Sequence, residues 1–405
     1  MKISRVLVEM ILKQYHLGTR EQYIVIFGAG QNGVLLNKYL QNNGVAVKYF
    51  CDTNPEKQGI TIDGVLCISF EELCKYKDEV IVFVSPNNAT DIYKILKDNG
   101  FSQVVSSDEM KLIRFVPDSE TESYFQKMPY IGHFYSLYPK IDDILKNEER
   151  IFNSQKEVLD IDFNEGNQLA LLNKMIELYS SIPKWTDMSI ELGSTPLRYR
   201  YGNQSLSAGD AIGLHCMLRI LKPKRMIEVG SGFTSAVTLD TNEYYLDNQI
   251  KLTFIEPYPK LLKSILKETD KIHLIESGLQ EVPLEVFDQL ESGDILFIDS
   301  THVSKIDSDV NFLFFEIMPR LKEGVYIHLH DIFYPFEYPK QWIHDGVIWN
   351  ELYLLRAFLQ NNSNYSIVFF QNMIEQKYKN AYMEKWPLDV PNHGGSIWLK
   401  KEHIK

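Results

Sequence analysis

No apolar run in these 405 residues approaches the ~20 needed to cross a bilayer. The first twenty residues, MKISRVLVEMILKQYHLGTR, have a helical apolar rhythm broken by charges and no small-residue cleavage site, so they read as a leading helix and not as a signal peptide. Cysteine is scarce: Cys51, Cys67, Cys74 and Cys216 form no C-x-x-C pair, and three of the four cluster in the first 75 residues. That spacing excludes the usual zinc and disulfide frameworks and fits small core residues in a reducing compartment. Positive charge is also short. Asp and Glu number 54 against 42 Lys and Arg, a net charge of −12, and a nucleic-acid partner would need a basic face. Internal repeats and low-complexity tracts are absent. The expectation is a soluble, cytoplasmic protein without a membrane or nucleic-acid partner. At this length one core is not enough, so two or three domains are expected.

What is present is organised around Arg225–Ser235, RMIEVGSGFTS. Met226-Ile227-Glu228-Val229 reads as a buried strand stopping at Gly230, with Gly232 next and a helix over 234–246. A strand, a glycine turn and a helix bring backbone N–H groups and a helix N-terminus against a nucleotide-like ligand. Ser235 occupies the place of a third glycine, and an acid, Glu228, lies inside the strand end. In dinucleotide folds that third glycine permits close packing under the pyrophosphate. A ligand lacking a pyrophosphate does not require it.

A second glycine turn lies near the start. YIVIF (Tyr23–Phe27) is a strand, Gly28-Ala29-Gly30-Gln31-Asn32-Gly33 completes G-x-G-x-x-G, and a helix follows to about Asn43. A strand over 45–50 ends beside Asp52, placed where a ribose hydroxyl would be met. A third strand spans 79–84 and a further helix 88–99. This is a Rossmann-like unit with about three strands, half a full dinucleotide fold. A nucleotide site at Gly28, Gly30, Gly33 and Asp52 and a degenerate docking domain are both open readings. The segments FGAGQNG, FCDTNPEKQG and IDGVLCISFEEL resemble the small Rossmann-like domains attached to surface-sugar enzymes, such as sugar N-acyltransferases and polysaccharide methyltransferases. That resemblance implies a nucleotide or nucleotide-sugar at the same four residues.

Between the two turns, 117–138 reads as a linker, 141–151 and 165–180 as helices, and Ser207–Leu221 as a helix with Ala211, Leu214, Leu218 and Leu221 on its apolar face. Beyond the organising stretch, strands are expected at 251–256, 271–276, 294–303 and 325–331. The first ends in Glu256, where a carboxylate would accept both ribose hydroxyls. A helical stripe of Val310, Leu313, Phe314, Ile317, Met318 and Leu321 stops at Gly324. The last two strands, 365–371 and 394–401, show no helix between them and are expected to pair antiparallel.

The E-x-G-x-G of Glu228, Gly230 and Gly232 resembles motif I of class I S-adenosylmethionine-dependent methyltransferases. Over about 125–402 the run GHFYSLYP, LRYRYGN, GDAIGLH, IEVGSGFTSAV, FIEPYP, GDILFIDSTHV, HLHDIFYPFEYP and WNELYLLRAFL is similar to one bacterial family of such enzymes. The resemblance implies an α/β chain of two Rossmann-like domains, the second a methyltransferase sheet ending in an antiparallel strand pair. The boundaries expected are 1–115, 116–205 (helical linker or cap) and 206–405. It further implies donor contacts at Glu228, Gly230, Ser231, Gly232, Glu256 and Asp299, with Tyr201 and Asp210 near the donor. Glu228 would hold the donor's amino-acid end. Acceptor-side residues would be His302, His330 and Asp331. Asp299-Ser300-Thr301-His302 stands where many relatives have D-G-x-H.

Methyl transfer to a hydroxyl requires loss of a proton, and His is the usual base near neutral pH. Either His302 or His330 is the candidate base, oriented by Asp331 or Asp299, while His328 reads as a satisfied strand histidine. The same groups could instead hold Mg²⁺ or a transition metal. Phe333, Tyr334, Phe336, Tyr338, Trp342 and Trp349 suit an acceptor wall or lid, with core packing or a dimer interface as the other reading. The expected reaction is O-methylation of a small-molecule or saccharide hydroxyl, within polysaccharide biosynthesis on the resemblance of the first domain. An NAD-dependent oxidoreductase and a non-catalytic nucleotide-sugar-binding protein are the alternatives.

Overall fold

Tyr23–Phe27 (β1) is a run of apolar residues whose alternate side chains reach two separate cores, Ile24 and Ile26 on one face and Val25 and Phe27 on the other. It is the central strand of the first of two compact units, 1–147 and 148–405, into which the computed structural model divides. The residues described are 23–42, 45–85, 90–105, 132–191, 193–383, 385–388 and 394–403. The expected leading helix, most of the expected linker and the first residues of the expected 88–99 helix lie outside them.

The first unit has Val47–Cys51 (β2), Thr61–Ile62 (β3), Val65–Ile68 (β4), Val80–Val84 (β5) and Val104–Val105 (β6). Its sheet order is β3-β4-β2-β1-β5-β6, parallel except for the β3–β4 hairpin. Among the described residues six strands stand where about three were expected. β3 and β6 are two residues long, too short to show a period, and the hairpin turn is made by Asp63 and Gly64, both at positive φ (49° and 80°). Helices Gln31–Asn42 and Thr90–Asp98 fill the crossovers.

The second unit begins upstream of the expected boundary at 206. Residues 148–205, expected within a linker, cluster with it. Leu172 and Met175 of helix Glu165–Leu178, together with Trp185 and Tyr199, are part of its core. Buried Arg198 pins this segment, pairing with Asp240, Glu243 and Asp270 at 3.0, 2.7 and 2.6 Å. Thr186–Asp187 (β7) and Arg200–Tyr201 (β8) pair with each other.

The main sheet is built from Arg225–Val229 (β9), Lys251–Ile255 (β10), Ile272–Ile275 (β11), Ile295–Ile298 (β12), Tyr326–His330 (β13), Tyr365–Phe370 (β14) and Ser396–Lys401 (β15). Their order is β11-β10-β9-β12-β13-β15-β14. β9 to β13 are parallel, and β15 runs antiparallel between β13 and β14. The antiparallel ending was expected, but two short helices, Gln371–Lys377 and Lys379–Met383, lie between the last strands where none was expected. The stripe after β12 is also not one regular helix. It runs as α over Asp309–Phe312, π over Leu313–Ile317 and 3₁₀ over Met318–Arg320. Pro319 has no N–H to give to the preceding turn, which explains the irregular end.

The register fixes what meets at the carboxyl ends. Val229 lies level with Ile255 and Ile298, and Ile298 with Leu329. The next residues, Gly230, Glu256, Asp299 and His330, therefore form one row along the edge where open α/β sheets bind ligands. Among the described residues no helix is long and apolar enough to cross a membrane.

Candidate active site

Gly230 follows β9 at φ 78°, and a Cβ there would stand 1.7 Å from the Asp299 carbonyl oxygen. Only glycine lets the β9 and β12 ends approach so closely. Ser235 takes the missing glycine's place productively. Its hydroxyl accepts the Gly232 N–H (3.1 Å) and donates to Glu228 Oε1 (2.6 Å), beside a second donation from Thr234 (2.7 Å).

Glu228 is fully buried and absent from the cleft lining, so the structure does not bring it to a ligand's amino-acid end. Burial pushes its carboxyl up to about 8, with the Ser235 and Thr234 hydroxyls working against that rise and the Asp299 and Glu256 charges adding to it. It buttresses the glycine turn from below.

Over the turn opens a cleft of about 530 Å³ lined by Gly230, Ser231, Gly232, Glu256, Asp299, Ser300, His302 and Asp331, with Leu206, Phe233, Leu261, Trp342, Val347 and Trp349 as its apolar wall. Glu256 is held in place by the Ser231 and Tyr258 N–H groups at 3.0 and 2.8 Å. The buried hydroxyls of Ser231 and Ser300 have no partner among the described residues. Unpaired buried donors in a lining are what a polar ligand would satisfy.

Past β12, the loop does not need the glycine of D-G-x-H. His302, not Ser300, takes the positive φ, 59°. Asp309 holds the loop by accepting from the Thr301 N–H (3.0 Å) and hydroxyl (2.5 Å). His302 Nδ1 lies 2.8 Å from Glu351 Oε2, and its Nε2 is 3.4 Å from Asp299 and 3.6 Å from Asp331. The indole of Trp349 lies over the imidazole at 4.4 Å. Burial opposes a charged ring, but Asp299, Glu351 and Asp331 outweigh it and raise His302 to about 10. The imidazolium has no lone pair to give near neutrality, so the expected base role does not fit His302 in this state.

His330 is buried outside the lining, within 3.4–3.5 Å of Asp210, Asp299 and Asp331. Burial again opposes its charge, yet Asp331, Asp299 and Asp210 hold it well above the ordinary value. Asp299 in turn is held far below the usual carboxylate range, burial being overcome by the two imidazoliums. His330 thus serves as an internal counter-ion, not as a second base reaching the acceptor.

Asp210 does not face the cleft. It accepts from Ser207 (2.8 Å) and Gly395 N (3.1 Å) and pairs with His330, tying the N-terminus of helix Ala208–Leu221 to the approach to β15. Tyr201 is also off the lining, packed edge-on to Trp185 and Tyr199. Of the aromatic group, Trp342 and Trp349 line the cleft, whereas Phe336 and Tyr338 are core and Tyr334 packs on Phe163 and Phe370. His328 stacks on Phe297 at 3.9 Å, and burial lowers it to about 3, but its buried Nδ1 has no hydrogen-bond partner among the described residues, so it is a core ring and not the satisfied strand histidine expected.

Asp299, His302 and Asp331 each offer one ligand atom, all within 4.8 Å of one another, a donor set suited to a divalent cation. Glu351 was not singled out from sequence. An acid opening an apolar helix is ordinary first-turn polarity, so nothing local marked it.

In the first unit Gly28 has φ 102°, and a Cβ on Gly33 would lie 1.9 Å from the Gly28 carbonyl oxygen. Gly30 has open space around it. Asp52 turns back onto the loop, accepting from Ala29 N (2.8 Å), Asn54 N (2.9 Å) and Lys57 Nζ (3.0 Å). Burial opposes its ionisation, and these donors keep its carboxyl below the ordinary value. The carboxylate expected to meet a ribose is thus already engaged.

Residues 227–332 match the family described as "Methyltransferase domain", and residues 19–109 the family described as "CoA binding domain". With the strand order and the glycine-turn cleft, that match makes the chain an S-adenosylmethionine-dependent methyltransferase carrying a Rossmann-like first domain. It belongs to the same family as an "Uncharacterized protein" of Archaeoglobus fulgidus, 33% identical over 171 residues, which span 40% of this chain and 74% of that protein. Among solved structures, it is similar to the SAH-bound methyltransferase PaMTH1 of Podospora anserina (14% identity, 66% of this chain and 99% of that one, TM-score 0.33). It is also similar to methyltransferase FkbM of Methylobacillus flagellatus (13%, 90% of each chain, TM-score 0.35). UDP-D-quinovosamine 4-dehydrogenase of Vibrio fischeri covers a smaller part (16%, 31% of this chain and 99% of that one, TM-score 0.20).

Proposed function

We propose that the second unit methylates a hydroxyl oxygen of a small-molecule or saccharide acceptor. The observation that carries this reading is the Asp299–His302–Asp331 group, which lies beside the glycine turn and lines one cleft with Trp342 and Trp349. Gly230, Ser231, Gly232, Glu256 and Asp299 would take the donor, and the indoles would hold the acceptor's carbon skeleton. Bound S-adenosylmethionine supplies the sulfonium methyl. The acceptor oxygen would lie between Asp331 and His302. As the oxygen–carbon bond forms and the carbon–sulfur bond breaks, the Asp331 carboxylate takes the hydroxyl proton, and the His302 N–H steadies the charge building on oxygen. The sulfur leaves with the electron pair as S-adenosylhomocysteine.

A metal-assisted variant is favoured by the same donor set. Asp299, Asp331 and a His302 that has given up its cleft-side proton would hold a divalent cation, which would acidify the hydroxyl. For the first unit we propose a nucleotide or nucleotide-sugar at Gly28, Gly30 and Gly33, supported by the match of that unit, with Asp52 shaping the turn and not meeting a ribose. Three buried, unpaired cysteines suit a reducing, cytoplasmic setting.

The test is transfer from methyl-labelled S-adenosylmethionine to a panel of saccharides, nucleotide-sugars and catechols, with and without chelator and added Mg²⁺. Label on oxygen, reduced at least tenfold in Asp331→Asn, is the expected result. Label on nitrogen or carbon would overturn the reading.

A further inference from the structure

The N-terminus of helix Glu351–Leu359 grips the loop after β12 from several directions. The His302 carbonyl accepts the N–H groups of Asn350 (3.2 Å) and Glu351 (3.1 Å). Asn350 brackets Ser304, accepting its N–H at 2.6 Å and donating to its carbonyl at 3.1 Å. The Glu351 carboxylate meets His302 Nδ1 at 2.8 Å. The histidine so held sits in the left-handed region, which a non-glycine residue keeps only where its surroundings enforce it.

Glu351 is fully buried, and its second oxygen, Oε1, has no hydrogen-bond partner among the described residues. A buried carboxylate with one partner is poor stabilisation, because the desolvation cost is not repaid by a full set of bonds. What the carboxylate does supply is orientation. An imidazole can rotate about its ring bond and exchange its nitrogens, and an acceptor at Nδ1 prevents this, leaving Nε2 to face Asp299, Asp331 and the cleft.

We propose that Glu351 is a positioning residue for methyl transfer, one that fixes the ring of His302 through Nδ1 while Asn350 fixes its backbone. The proposal rests on the hydroxyl-transfer reading above for what His302 then does, but the ring geometry can be measured without turnover. The experiment uses the full chain labelled with ¹⁵N-histidine, the His302 signals being assigned by their loss in His302→Gln. In wild type the Nδ1 proton is expected in a hydrogen-bonded, downfield position. Glu351→Leu loses that signal, whereas Glu351→Gln, which keeps an acceptor of the same shape, retains it at a reduced shift. Calorimetric affinity for S-adenosylhomocysteine stays unchanged in both. On any acceptor found by the panel, turnover of Glu351→Leu falls about 10- to 100-fold and is partly restored in Glu351→Gln. Wild-type His302 signals in Glu351→Leu would overturn the proposal. So would a joint fall of midpoint and S-adenosylhomocysteine affinity in Glu351→Gln, which marks a structural role. Should no acceptor accept label on oxygen, the function reading fails, while the His302 signals still decide the role of Glu351.

Discussion

At Glu228 a carboxyl has been taken wholly out of water with two hydroxyl donors for company. Its folded value of about 8 stands above the ordinary 4.5, so between those limits the folded protein keeps a proton that the unfolded chain has released. The stability drawn from this group is complete below pH 4.5 and drains away as pH climbs to about 8, at up to about 1.4 kcal/mol per pH unit. Glu228→Gln copies the protonated shape and cannot ionise. Urea unfolding at several pH values should show the variant gaining on wild type across that window and holding a constant lead above it. Parallel curves would mean the carboxyl is ionised in the fold. The residue scale is also where sequence and structure part. Gly230 was legible because a close backbone approach leaves glycine no substitute. Glu228 was legible as an acid inside a strand end and Asp210 only through the family resemblance, but neither in its partners, since a one-letter code does not say whether an acid faces up into a cleft or down onto other groups. Glu351 could not be found because its contact with His302 joins positions 49 apart in the chain.

Among the elements, β14 is the outer strand of the main sheet, and unpaired edges invite other strands. Helix Glu165–Leu178 covers it: buried Gln168 accepts the Phe370 N–H at 2.7 Å, and Asn164 donates to the Ile367 carbonyl at 3.2 Å. Gln168→Leu keeps the volume and strands a buried N–H, so it should cost about 1–3 kcal/mol in denaturant unfolding. A neutral result would show the edge to be guarded by packing alone. The strands β1, β5 and β12 could be read from sequence because they are buried on both faces and run apolar throughout, and β9 and β13 because most of their residues do. The two-residue strands and the π turn could not. Their conformation is set by a hairpin and by Pro319, not by any hydrophobic period.

Over the whole molecule, each unit holds a hydrophobic core of its own, and the cleft over the Gly230 turn belongs to the second. S-adenosylhomocysteine at 100 times its Kd should stabilise that unit by about 2.7 kcal/mol against denaturant. In Gly230→Ala the added Cβ meets the Asp299 carbonyl, and the stabilisation should vanish. A full effect in the variant would move the donor site away from the glycine turn.

β15 has a consequence for the order in which the protein can be made. Ser396–Lys401 lies between two strands translated earlier, and Gly395 just before it delivers an N–H to Asp210. While a ribosome still holds residue 396, β13 carries an open edge that ends in His330 and Asp331, and β14 has nothing to join. Closure of the sheet therefore waits on its last-made strand, and a nascent chain stalled before that point presents β13 with an unpaired edge.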